Sequence, residues 1–243
     1  MSSKKPIVAI LYDFDSTLSR TDMQNFSFIP SLGLTPAEFW GMTTEFSEKS
    51  GTERTLSYLY MMKKLCHEKG IKMTREWLKE QGKAIEFFPG VLTWFQRIND
   101  YGKEHGVTVE HYLISSGNKE IVEGCQIAKE FKRLYACEYN FDPETGEPIW
   151  PKIAINYTQK TQYFYRISKG AYDANDDEGV NTHVKKHRIP YSNIVYIGDG
   201  MTDIPAMIVA KNSGGKSIAV FPKGDEKKVK GLIKEGRVNF SCA

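Results

Sequence analysis

The sequence has few cysteines, no long apolar run and almost no surplus of charge, and each shortage removes a class of protein. The four cysteines, Cys66, Cys125, Cys137 and Cys242, lie far apart, with no CxxC pair and no Cys/His spacing that closes a tetrahedral zinc site. That sets aside a disulfide scaffold and a zinc module, and leaves free thiols in a reducing compartment. No stretch is long and apolar enough to span a bilayer. The short apolar segment after Lys4 and Lys5 is broken at once by Asp13 and Asp15, so it is no secretory leader. The net charge of +3, from 33 Lys and Arg against 30 Asp and Glu, is too small to imply nucleic acid. We expect a cytoplasmic protein with neither a membrane nor a nucleic-acid partner; the sequence is silent on oligomeric state.

What is present is enough for one sizeable core with an insertion or lid: 243 residues, 40% hydrophobic and 26% charged. There is no internal repeat and no low-complexity tract. Ile7 to Tyr12 is a continuous apolar run, read as a strand buried on both faces. From Thr21 to Phe88 the pattern is helical, with Thr35-Pro36, Thr52 and Thr74 as helix openings. A further helix is expected from Val91 to Ile98. Val109 to Ile114 reads as a second strand, followed by a helix over 120–134. Asp142-Pro143-Glu144-Thr145-Gly146 is a turn signal for a hairpin. A helix over 160–167 and strands over 193–197 and 217–221 complete the pattern, and 173–178 reads as an exposed loop. Strands alternating with helices imply an α/β protein with a doubly wound, mostly parallel sheet.

Ligands of such sheets collect at the carboxyl ends of the strands, so the residues delivered there are the informative ones. The first strand delivers Asp13-Phe14-Asp15-Ser16-Thr17. The second delivers Ser115, Ser116 and Gly117, whose hydroxyls and amides suit an anion. A later strand delivers Gly198-Asp199-Gly200-Met201-Thr202-Asp203. Four carboxylates converging on one cleft repel one another unless a cation balances them, and hard oxygen donors suit Mg²⁺. Such a cleft with a basic side chain has what phosphoryl transfer requires.

DFDST, LISSG, the lysine of TQKTQ and GDGMTD, in that order, resemble the four motifs of the haloacid dehalogenase superfamily. The second acid, Asp15, is similar to that of its phosphatase and phosphotransferase branch. The helical stretch after DFDST resembles the cap of the phosphoserine-phosphatase-like members. The resemblance implies a Rossmann-like core, residues 1–19 and 87–243, with a helical cap over residues 20–86. It makes Asp13 the nucleophile and a metal ligand, and Asp15 the acid/base and a ligand through its carbonyl. It makes Ser115 the phosphate-binding hydroxyl, with Ser116 and Gly117 beside it, and Lys160 the charge partner of Asp13. Asp199 becomes a metal ligand and Asp203 a ligand or its orienter. Asp22 falls where the phosphoserine phosphatases carry the acid that meets the substrate amine, and competes with a plain helix-capping role. Lys169 and Lys152 compete with Lys160, while Arg20 and Arg54 are open as partners of a substrate carboxylate. The implied activity is Mg²⁺-dependent hydrolysis of a small phosphomonoester through an aspartyl phosphate. A phosphotransferase and a non-catalytic phosphate binder of the same fold are the alternatives.

Overall fold

The computed structural model describes residues 5–243. Its centre is a seven-stranded sheet of order β4-β3-β2-β1-β5-β6-β7. The strands are β1 (Ile7–Tyr12), β2 (Thr108–Asn118), β3 (Arg133–Phe141), β4 (Pro148–Ile153), β5 (Ile194–Gly198), β6 (Lys216–Val220) and β7 (Phe240–Cys242). All neighbours run parallel except β3 and β4, a hairpin whose turn is tied by Asp142 Oδ1 accepting from the amides of Glu144 and Thr145. β1 is central because its apolar residues are covered on both faces: Leu11 pairs with Tyr112 on one side and Tyr196 on the other, and Ala9 and Leu11 are fully buried. The chain builds outward from β1 to β4, then returns to β5 on the other side. The topological switch point therefore falls between β1 and β5.

Between β1 and β2 come α1 (Phe28–Ser31), α2 (Pro36–Ser50), α3 (Arg54–Glu68), α4 (Arg75–Gly82) and α5 (Val91–Glu104). Then follow α6 (Lys119–Glu123), α7 (Gln159–Lys169), α8 (Asp177–Asn181), α9 (Ile204–Asn212) and α10 (Lys227–Lys234). None of the helices is long and apolar enough to cross a membrane, among the described residues. Thr35 opens α2 in a capping box: its hydroxyl accepts from the Glu38 amide while the Glu38 carboxylate accepts from the Thr35 amide. At α4 the Thr74 hydroxyl accepts from the Trp77 amide, a cap without the reciprocal bond. The opening expected at Thr52 falls one residue later, where the Glu53 carboxylate accepts from the Leu56 amide. An antiparallel bridge between Ser19 and Phe87 closes the base of the helical stretch.

Three expectations need correction. The helix expected over 120–134 runs only from Lys119 to Glu123; Gly124, at its end, lies so close to α4 that a Cβ there would sit 1.8 Å from the Lys79 carbonyl oxygen. The residues from Arg133 are drawn instead into β3, paired with β2. The strand expected over 109–114 is longer: β2 runs to Asn118 and takes in Ser115, Ser116 and Gly117. The stretch 173–178 includes the start of α8, and the buried Arg166 guanidinium organises it by donating to the carbonyls of Asp173, Ala174 and Asp176.

A buried polar chain runs beneath β1 and β2. Trp94 Nε1–H donates to the Tyr12 hydroxyl (2.8 Å), which lies 3.0 Å from His111 Nδ1, and His111 Nε2 lies 3.0 Å from Asn99 Oδ1. The arrangement suits a neutral imidazole that accepts at Nδ1 and donates from Nε2. Burial pushes the His111 pKa down to about 4. The unfolded chain therefore binds a proton below the ordinary value of about 6.5 that the fold resists, so stability falls as pH drops from about 6.5 towards 4. The buried carboxylates described below act in the opposite sense, so the difference between wild type and His111→Gln isolates the effect. In urea unfolding, the wild type should lose about 2 kcal/mol relative to H111Q between pH 7 and pH 5; parallel stability curves for the two proteins would contradict this.

Candidate active site

The site is assembled by strand pairing. The Asp13 amide, just past β1, donates to the Ile197 carbonyl of β5 at 2.9 Å, which sets Asp13 beside the loop carrying Asp199 and Asp203. The chain then doubles back: the Phe14 carbonyl accepts from the amides of Thr17, Leu18 and Ser19. Ser16 takes φ 57°, alone among the described non-glycine residues in the left-handed region, a local strain of the kind found at functional turns. This turn returns Asp15 to the cleft, where its Oδ1 accepts from the Met23 amide at 2.7 Å.

Lys160, in the first turn of α7, is 1% exposed and joins the two acidic loops. Its ammonium donates to Asp13 Oδ1 at 2.7 Å and to Asp203 Oδ1 at 2.8 Å. The rival lysines are engaged elsewhere, Lys169 with the carbonyls of Val180 and Thr182 and Lys152 with Glu138. Carboxylate oxygens of Asp13, Asp199 and Asp203 all lie within 4.8 Å of one another. The Tyr196 hydroxyl donates to Asp203 Oδ1 at 2.7 Å and the Thr17 hydroxyl to Asp199 Oδ1 at 3.4 Å. Sequence reasoning missed both: Tyr196 is one aromatic in an apolar strand, and its role depends on the turn that brings Asp203 back over β5.

Burial and mutual repulsion dominate the electrostatics. Burial, reinforced by Asp203, pushes the Asp13 pKa up to about 8 despite Lys160. Asp15 is raised well above the usual carboxylate range by burial and then by Asp22 and Asp13. Burial and Asp203 raise Asp199 to about 6. Burial alone would lower the Lys160 pKa, but Asp13 and Asp203 outweigh it and keep the ammonium charged. One ammonium against three clustered carboxylates leaves negative charge unbalanced. Oxygen donors at this spacing fit a hard divalent cation.

Beside Asp15 lies a cavity of about 270 Å³ between the strand ends and helices α2 and α3. Asp15, Asp22, Ser116 and Gly117 line it from the core side, and Trp40, Arg54 and Tyr58 from the helices. Gly117 leaves no room for a side chain, since a Cβ would come 2.0 Å from Met23 Cε and 2.9 Å from Asp15 Oδ2. Ser115 and Ser116 differ: the fully buried Ser115 Oγ accepts from the Gly117 amide at 2.9 Å, whereas the buried Ser116 Oγ has no protein partner. Asp22 precedes a 3₁₀ turn (Met23–Asn25) but makes no side-chain capping hydrogen bond, and it is among the residues that line the cavity. Arg20 lies outside, paired with Glu86 at the base of the helical stretch. Tyr58 donates to the Ser116 carbonyl at 2.6 Å, a contact between α3 and the strand end that the sequence does not display.

Solved structures share this arrangement of chain. A HAD family hydrolase of Salmonella enterica serovar Typhi superposes with a TM-score of 0.60 at 16% identity, covering 98% of this chain and 68% of that one. A phosphoserine phosphatase in a phospho-aspartyl intermediate analogue form gives 0.56 at 18% identity, covering 98% and 93%. The chain has the fold of the haloacid dehalogenase-type hydrolases. A probable phosphoserine phosphatase of Vibrio cholerae gives a TM-score of 0.62 at 14% identity; the match takes in 98% of this chain but only 60% of that longer protein. In sequence, an uncharacterized protein of Borreliella burgdorferi is 26% identical over 265 residues, covering 98% of this chain and 91% of its own. No protein-family model matches the chain.

Proposed function

We propose that the protein is a Mg²⁺-dependent phosphomonoester hydrolase that works through an aspartyl phosphate. The observation that carries this reading is the buried Lys160 held between Asp13 and Asp203, with Asp15, close enough to feel both Asp13 and Lys160, lining the neighbouring cavity. Asp13, Asp199 and Asp203, with the Asp15 carbonyl, would hold the ion, which balances charge on the phosphoryl oxygens. The Asp13 oxygen not bonded to Lys160 attacks phosphorus, and the bond from phosphorus to the leaving alcohol breaks. Asp15, kept protonated by its raised pKa and oriented by the Met23 amide, gives its proton to the departing alkoxide. It then takes a proton from the water that attacks phosphorus, releasing inorganic phosphate and free Asp13. Lys160 offsets the charge of Asp13 before and after attack. The backbone of Ser116 and Gly117, which line the cavity, receives the phosphate together with the Ser115 hydroxyl that the motif implies and that turns from the Gly117 amide to do so, while Asp22 and Arg54 bracket a leaving group of small size, phosphoserine included. Helices α2 and α3 act as the lid that admits substrate and then excludes bulk water.

Phosphate release from a panel of phosphomonoesters, phosphoserine among them, tests this. Release should require Mg²⁺, fall to background with EDTA and return on adding excess Mg²⁺. Protein that binds phosphate with Mg²⁺ present yet releases none from any ester would defeat the reading.

A further inference from the structure

Two buried side-chain polar atoms have no hydrogen-bond partner among the described residues, Gln24 Oε1 and Ser116 Oγ, and both residues line the same cavity beside Asp15 and Asp22. Gln24 is 2% exposed, and its Oε1 has no protein hydrogen-bond partner. A buried amide oxygen left unsatisfied is destabilising relative to a paired one, and an apolar residue of that size would fill the space without that cost. The groups around it are otherwise well provided: Asn25 accepts from Trp40 and donates to Thr21, and Gln81 on α4 bonds both Ser27 and the Trp77 carbonyl. The shortfall is therefore confined to the cavity.

We propose that Gln24 and Ser116 are specificity-determining residues that bind a neutral hydroxyl carried by the leaving alcohol, so that the preferred substrates are small hydroxylated phosphomonoesters. This rests on the phosphatase reading above and adds the chemistry of the leaving group to it. The groups themselves select a hydroxyl. An amide presents one donor and one acceptor, and a serine hydroxyl can do either, so the pair complements a group that both donates and accepts. An ammonium offers donors only and would leave the amide nitrogen of Gln24 unused, while a plain alkyl chain would leave both residues buried and unpaired. A site of this kind rejects an analogue lacking the hydroxyl more strongly than an apolar pocket rejects an added one.

The test compares kcat/KM for phosphate release from glycerol 1-phosphate and from propyl phosphate, which match in length and differ in hydroxyls. The wild type should favour the glycerol ester roughly tenfold or more. In Gln24→Met and in Ser116→Ala the ratio should fall towards one, through loss on the glycerol ester. Because the ratio is taken within each protein, a general loss of fold or of chemistry does not move it. A wild-type ratio near one, as expected if ordered water satisfies both groups, or variants that keep the wild-type ratio, would overturn the proposal and leave the phosphatase reading standing. No release from any ester with Mg²⁺ present would remove the phosphatase reading and this proposal with it.

Discussion

Asp13→Asn should lower Mg²⁺-dependent phosphate release by on the order of a thousandfold or more, because an amide of nearly the same shape cannot attack phosphorus. Stability separates this from misfolding. In the folded, metal-free protein the Asp13 pKa is raised to about 8, above the unfolded value of about 3.9. The fold therefore holds a proton that the unfolded chain releases, and the stability linked to this group is lost as pH rises from about 4 to about 8. Removing the charge removes that loss, so D13N should melt at or above the wild-type temperature at pH 7 without metal. It should also respond less to added Mg²⁺, a neutral amide oxygen replacing a charged carboxylate as ligand. A variant that keeps more than a tenth of wild-type turnover would show that another group carries the attack.

Gly124→Ala should be the most damaging methyl group that can be added between α4 and the core. Gly124 has ordinary helical dihedrals, so the objection to alanine is purely steric: its Cβ would stand 1.8 Å from the Lys79 carbonyl oxygen and 2.6 Å from its carbonyl carbon. Gly82 faces the same seam from the α4 side, with a Cβ there 2.0 Å from the Ile121 carbonyl oxygen. Backbone cannot swing aside as a side chain does, so α4 must lift, at a cost of about 3 kcal/mol, the upper part of the usual overpacking range. The same substitution at Gly41, exposed within α2 with nothing within 4 Å, should instead stabilise by about 0.5–1 kcal/mol. Chemical unfolding of the two variants beside wild type checks the pair. Equal effects would mean that the seam is softer than its backbone contacts imply.

How much of this was legible depends on whether the signal is local. β1, the acidic pairs after β1 and β5, and the lysine opening α7 could be read because buried parallel strands are continuous apolar runs and their carboxyl ends are where the chemistry gathers. The helix expected over 120–134 could not be corrected from sequence. Ile121, Val122, Cys125 and Ile127 keep an apolar rhythm, but the contact of Gly124 with Lys79 and the pairing of β3 with β2 are both long-range and override it. Ser115 and Ser116 were inseparable for a related reason. Only the folded chain separates them: the Ser115 hydroxyl accepts from the Gly117 amide, whereas Ser116 lines the cavity and its hydroxyl has no protein partner. Gln24 carries no sequence signal at all, since an unpaired amide is defined only by its surroundings.

The glycine seam also decides where the molecule could be trimmed. Cutting out residues 20–86 as a block would strip α4 from α6, uncover the buried Ile121 and Val122, and leave the fully buried Glu120 without Arg75 and Glu123 without Lys79. A workable capless variant would keep the chain from about Thr74 onward and remove only the helices before it. The last helix before α5 is, as a building unit, tied to α6 and so to the sheet rather than to α2 and α3.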